Sequence, residues 1–244
     1  MLTLTLTLAA LTYLATAKAN FAQCGDGLAP NATRAGVPFP VFTPEGGDWF
    51  PDKAVIVNAE LFTVSYSACG NTKELTIYAD NTDDVGVRYL LVQCGTALCP
   101  EDQVRVDNGN YTQSPITVPV TAVAFTQTPS VNFADMLVGP AGPARSTFTK
   151  VTFPKSFVSS TCLVEMIDDG KLVDGNWAPD TVTSITYPNV QVTFAGEYDV
   201  KTNLQDDDST VIEFDEWQES SMKGINDYFL LAAVFFNAEK EATK

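Results

Sequence analysis

The chain has 244 residues, 45% of them hydrophobic, with 30 acidic side chains against 14 basic ones and a formal net charge of -16. A chain this acidic is poorly suited to nucleic acid or an anionic membrane surface, both of which demand clustered Lys and Arg. It contains no His, which removes imidazole-ligated metal sites, Ser-His-Asp triads and Cys-His dyads.

The first 19 residues, MLTLTLTLAALTYLATAKA, combine a Leu, Thr and Ala run with small residues at Ala17 and Ala19. That is the pattern of a secretory signal cleaved before Asn20. The run carries no Lys or Arg ahead of it, so a short anchor or a truncated start is the alternative. No later stretch approaches the roughly 20 apolar residues of a membrane span. The mature chain is therefore expected to be soluble, secreted or, in a bacterium, periplasmic, with no direct membrane insertion. Residues 20–47 are rich in Gly, Pro and Ala and read as an irregular leader, which leaves 48–244 as the ordered domain. Sequons at Asn31 and Asn110 are candidate glycosylation sites on a eukaryotic export route.

Five cysteines, Cys24, Cys69, Cys94, Cys99 and Cys162, suggest disulfides in an exported chain, and the odd count leaves at least one thiol over. Cys94 and Cys99, with Gly95 between them, are the candidate pair for a small closed loop, unless Cys94 is simply buried. Their spacing fits no zinc site.

Residues 54–66, 72–78 and 87–93 are predicted strands, an N-terminal strand and hairpin region. Asp80, Asp83 and Asp84 sit in an acidic turn between two of them, which lacks the Gly and terminal Glu of a calcium loop. The stretch that organises the chain is 114–139. Ile116, Val118, Val120, Val123, Ala124 and Phe125 form an apolar, β-branched run suited to a strand covered on both faces. Thr126, Gln127, Thr128 and Pro129 end it, and a helix follows with Thr128 or Ser130 as N-cap and Gly139 as its stop. The turn after a parallel strand's carboxyl end is where ligands dock in open α/β sheets. Thr126, Gln127 and Thr128 are therefore candidate ligand contacts, although the same residues would equally serve to cap the helix.

Further on, Phe148 to Phe153 reads as a short strand and 156–168 as a helix stopped at Asp169-Gly170. Residues 190–194 alternate as another strand, with Gly196, Glu197 and Tyr198 in the turn beyond it. Val211 to Phe214 gives one more short strand. From Ser220 an unusually apolar helix runs to about Glu239, which suggests a large packing partner in a segment beyond the chain. No nucleophile elbow, metal-ligand spacing or credible base for a serine is present, so no catalytic residue, metal site or cofactor is predicted.

The order of these pieces, with AVIVNAELFTVSY, YLLVQCGT, ITVPVTAVAFTQTPSVNFADMLVG, VTFAGEYD and DYFLLAAVFFNAEKEA, resembles the N-terminal half of periplasmic-binding-protein-like proteins of the helical-hinge class. These are related to receptors for iron siderophores, haem and cobalamin, and YLLVQCGT resembles a subgroup of algae, oomycetes and plants. The resemblance implies an α/β fold, a mostly parallel sheet flanked by helices forming a single Rossmann-like lobe. It implies a non-enzymatic solute-binding protein for a metal chelate, held at Thr126, Gln127, Thr128, Glu197 and Tyr198. It further implies that the last helix starts a hinge towards a second lobe, and that a membrane transporter or receptor is the partner. The alternative is an extracellular structural or adhesion protein that keeps the fold without the ligand.

Overall fold

The computed structural model describes residues 47–79, 85–111, 113–138, 147–175, 190–196 and 210–243. Its strands fall into two sheets. The first contains β1 (Phe62–Tyr66), β2 (Thr72–Tyr78), β3 (Val85–Gln93) and β4 (Ile116–Val118) in that order. β1, β2 and β3 run antiparallel, and β4 joins parallel to β3. The second sheet is wholly parallel, built from β5 (Val123–Phe125), β6 (Phe148–Val151), β7 (Val173–Asp174), β8 (Val192–Ala195) and β9 (Thr210–Glu213) in the order β7-β6-β5-β8-β9. β5 is central. The chain winds outward through β6 and β7, then returns to the other side of β5 for β8 and β9. This is a doubly wound α/β sheet, as the sequence implied.

Two predicted strands take a different form. Of residues 54–66 only Phe62–Tyr66 is strand. The amides of Val57, Asn58 and Ala59 are taken by the Asp227 carboxylate (3.1, 2.7 and 3.0 Å), and those of Glu60 and Leu61 by Glu219 (3.1 Å each). Donors spent on side chains leave nothing for a ladder. The run 116–125 is split at Pro119 into β4 and β5, which belong to different sheets. Pro119 brings no N–H to a sheet, and the next amide, Val120, donates instead to the Phe235 carbonyl (2.9 Å).

Five helices complete the described fold: α1 (Pro100–Asp107), α2 (Thr128–Val138), α3 (Thr161–Asp168), α4 (Met222–Phe236) and α5 (Glu239–Ala242). α3 is capped by Ser160, whose hydroxyl accepts from the Leu163 amide, and Gly170 supplies the left-handed turn (φ 70°) beyond its end. α1 was not foreseen, although Pro100 in its first turn and the acids Glu101 and Asp102 mark a helix start. 

The apolar C-terminal helix finds its partners inside the chain. Tyr228 and every residue from Leu230 to Phe236 are buried. Tyr228 meets Phe62 of the first sheet and Phe214 beyond β9, each at 5.0 Å between ring centroids, while Phe235 meets Phe194 at 5.2 Å. α4 thus joins the two sheets into one continuous core, each buried Leu, Val or Phe contributing about 1.5–3 kcal/mol. Its apolarity is accounted for here without a further segment. The helix closes at Asn237, which adopts the left-handed conformation (φ 52°), and does not run on as a hinge within the described residues.

The expected Cys94–Cys99 bridge is not formed. Cys99, buried at the start of α1, is joined to Cys69 in the β1–β2 turn, with 6.1 Å between Cα atoms, and Cys94 is bonded elsewhere. The strand pairing explains the choice: β1, β2 and β3 bring the 67–71 turn beside the 93–99 segment, where the Gln93 amide donates to the Asn71 carbonyl (2.9 Å) and the Asn71 side chain donates to the Ala97 carbonyl (2.6 Å). Cys162, on α3, is a free, half-buried thiol.

Candidate ligand-binding site

β5 and β8 are neighbours from which the chain leaves in opposite directions, so the crevice beyond their carboxyl ends is the topological switch point of the parallel sheet. Short hydrogen bonds knit the strand ends together. Thr126 donates its amide to the Phe194 carbonyl (2.9 Å), Thr152 donates to Phe125 (3.0 Å), and Phe214 donates to Ala195 (2.8 Å). The strands of this sheet are largely buried, and polar side chains gather on the rim at their carboxyl ends.

Thr126, Gln127 and Thr128 lie on that rim, in different roles. Thr126 is 3% exposed, and its carbonyl accepts from the Thr152 hydroxyl (3.4 Å), so its side chain is part of the wall. Gln127 and Thr128 are half-buried at the start of α2. Ser130 closes that first turn by donating its hydroxyl to the Gln127 carbonyl (2.9 Å). The Gln127 side chain reaches across the crevice. With its carboxamide assigned in the orientation that satisfies both neighbours, the nitrogen donates to the Phe214 carbonyl (3.0 Å) and the oxygen accepts from the Gly196 amide (3.3 Å). Gly196 makes room for it: a Cβ there would stand 1.6 Å from the Gln127 amide and 3.2 Å from Asp215 Oδ1. Glu197 and Tyr198 lie outside the described residues, although their neighbour Gly196 is at the heart of the crevice.

The sequence reading missed the third wall. β9 delivers Phe214 and then Asp215, Glu216 and Trp217 to the same rim, the last three turning into α4 through a single 3-10 turn (Glu216–Gln218). Asp215 accepts from the Trp217 indole nitrogen (3.1 Å), which holds the indole in place while Trp217 as a whole stays 65% exposed. Glu216 is only 7% exposed, and its Oε2 has no hydrogen-bond partner. Burial pushes its carboxyl up to about 7, a backbone bond partly opposes this, and the Asp215 charge adds to it. The field is negative throughout. The Tyr228 hydroxyl is held far above its usual range by burial first and then by Glu219, Asp215, Glu216 and Glu213. The available signal was a Trp beside two acids directly after an apolar strand.

A second polar region lies on the outer face of the first sheet, a cavity of about 290 Å³ bordered by α1. Its charged groups satisfy one another. Arg105 is paired with Glu74, Tyr111 donates to Glu74 (2.8 Å), and Asp102 accepts from Thr72. Cys69, Cys99 and Glu101 converge nearby, but sulfurs joined in a disulfide offer no thiolate to a metal. Asn110, one of the two candidate glycosylation sites, is exposed just past α1, while Asn31 is outside the described residues.

Among the described residues no helix is long and apolar enough to cross a membrane. No family model, curated protein or solved structure matches the chain.

Proposed function

We propose that this chain is a secreted, non-enzymatic solute-binding lobe whose ligand rests on the rim beyond β5, β8 and β9. The observation that carries the reading is Trp217, a large exposed aromatic held by Asp215 beyond β9, on the carboxyl-end rim of a doubly wound sheet. An exposed aromatic face, with Gln127 and Thr128 on the same rim, offers stacking area and hydrogen bonds, which hold a bulky metal chelate through its organic shell without ligating the metal. That is why a chain with no His remains suited to such a ligand. The carboxylates narrow the choice. Asp215 and Glu216 beside the indole disfavour anionic chelates such as haem or a ferric catecholate, and favour a neutral or cationic one, such as a ferric hydroxamate or a corrinoid. A membrane transporter or receptor would be the natural partner of such a lobe.

Calorimetric titration of the full chain with both sets of chelates tests this. Heat and fluorescence quenching from the neutral or cationic set are expected, with Trp217→Ala weakening binding about tenfold, the worth of one stacking contact. No heat from any chelate would overturn the reading, and equal binding of the anionic set would overturn its electrostatic part.

One observation favours a second reading, an extracellular structural protein that keeps the fold without a ligand. The Gln127 amide already spans the crevice. On that reading Gln127→Ala and Trp217→Ala change stability alone and leave every measured association intact.

A further inference from the structure

At the end of α4 opposite the candidate site, a buried amine and carboxylate meet a half-buried carboxamide. Lys73 points from the core face of β2 and is 0% exposed. Its Nζ donates to Asn237 Oδ1 (2.8 Å), to the Val234 carbonyl (2.8 Å) and to the Glu239 carboxylate. The Phe50 ring closes the pocket, with its centroid 4.2 Å from the same nitrogen. The Asn237 carboxamide is oriented by its own Nδ2, which donates to Gln93 Oε1 (2.8 Å), so its oxygen faces the amine.

Capping α4 draws on the left-handed backbone of Asn237 and the ion pair on Lys73 and Glu239; neither requires the Asn237 carboxamide oxygen to face the amine. Asn237 adds an electrophilic carbonyl fixed against a nucleophile and a base. Amines rarely attack carboxamides in water because the amide is a weak electrophile with a poor leaving group and the amine is protonated and dilute. Here fixed geometry supplies the effective concentration, and burial pushes Lys73 down to about 8 against the opposing charge of Glu239.

We propose that Lys73 and Asn237 become joined by an isopeptide bond between Nζ and Cγ, formed by the folded chain itself with Glu239 carrying the proton. Glu239 takes one proton from the Lys73 ammonium, which frees the nitrogen lone pair and leaves a neutral carboxylic acid. The lone pair adds to Asn237 Cγ, and the carbonyl electron pair moves onto Oδ1. The nitrogen's remaining surplus proton passes to Nδ2, the Cγ–Nδ2 bond breaks as the carbonyl re-forms, and the departing ammonia takes the proton held by Glu239 and leaves as ammonium. One C–N bond forms and one breaks, nothing is oxidised or reduced, and Glu239 ends as the carboxylate it began as. The product is a covalent link between residues 164 apart, tying the first sheet to the end of the core helix.

Mass spectrometry of the full chain, made in a host that adds no glycans and held folded above pH 8, reads this directly. The expected result is an intact mass lower by one ammonia and, after reduction and digestion, a branched peptide joining the Lys73 and Asn237 segments. Glu239→Gln retains the amine and the amide without the proton carrier and is expected to yield the unbranched peptides, as is Lys73→Met. Asn237→Asp is expected to give the same branched peptide as the parent, with water lost in place of ammonia. Should Lys73→Met fail to fold, Glu239→Gln, checked for folding by circular dichroism, decides alone. Unbranched Lys73 and Asn237 peptides from the parent chain, or an ammonia loss that persists in Lys73→Met without a branch, would overturn the proposal.

Discussion

Gly196 and Gln127 are a lock and its key at the scale of single residues. Because a Cβ at 196 would overlap the Gln127 amide, Gly196→Ala is expected to lower stability by about 1–3 kcal/mol, the usual cost of overpacking. The double variant Gly196→Ala with Gln127→Ala should recover part of that loss, and urea unfolding of the two single variants and the double one measures the coupling. Glu216 makes a prediction in pH. Its carboxyl sits above the ordinary Glu value of 4.5, at about 7, chiefly through burial, so the folded state holds a proton that the unfolded chain releases earlier. Its contribution to stability is therefore complete below about pH 4.5 and is lost as pH rises through 7. Thermal unfolding of the parent and of Glu216→Gln across pH 5 to 8 should show the parent falling more steeply.

At the scale of elements, Asp227 on α4 does the work that a strand partner would do for residues 57–59. Three backbone amides on one carboxylate keep its pKa below the usual range, although burial alone would raise it. Asp227→Ala is expected to cost about 2 kcal/mol and to raise hydrogen exchange at Val57, Asn58 and Ala59 ahead of β1. This contact also shows where the sequence stops being informative. β2, β3, α2, β8, β9 and α4 were legible because their apolar spacing is a local property of each segment. Residues 54–61 carry the same apolar spacing, but the acceptors that claim their amides lie 158 to 170 residues away, where no local pattern reaches. Pro119 was a visible signal that the 116–125 run would break, and the weight of β-branched residues around it masked that signal. The site divided in the same way. Gln127 and Thr128 were legible as the turn beyond a buried strand. Asp215, Glu216 and Trp217 were not, because only the winding order of the sheet brings β9 beside β8, one strand from β5.

At the scale of the whole molecule, the Cys69–Cys99 bridge fastens α1 to the first sheet across 30 residues. Replacing both cysteines with Ser is expected to cost about 3–4 kcal/mol on the chain-entropy estimate, with hydrogen exchange rising in α1 before the parallel sheet. Circular dichroism melts with residue-resolved exchange would check both the size and the place of the effect.

The clasp of Asp227 and Glu219 on residues 57–61 has a bearing on synthesis. The segment that precedes β1 is made well before its acceptors, which follow it by 158 to 170 residues. A chain halted before residue 219 would hold that segment loose and leave Phe62 without Tyr228, open to proteases and to other unfinished chains. The clasp must therefore await synthesis of α4, and pulse proteolysis of stalled nascent chains of increasing length should show protection at 54–61 arriving only with α4.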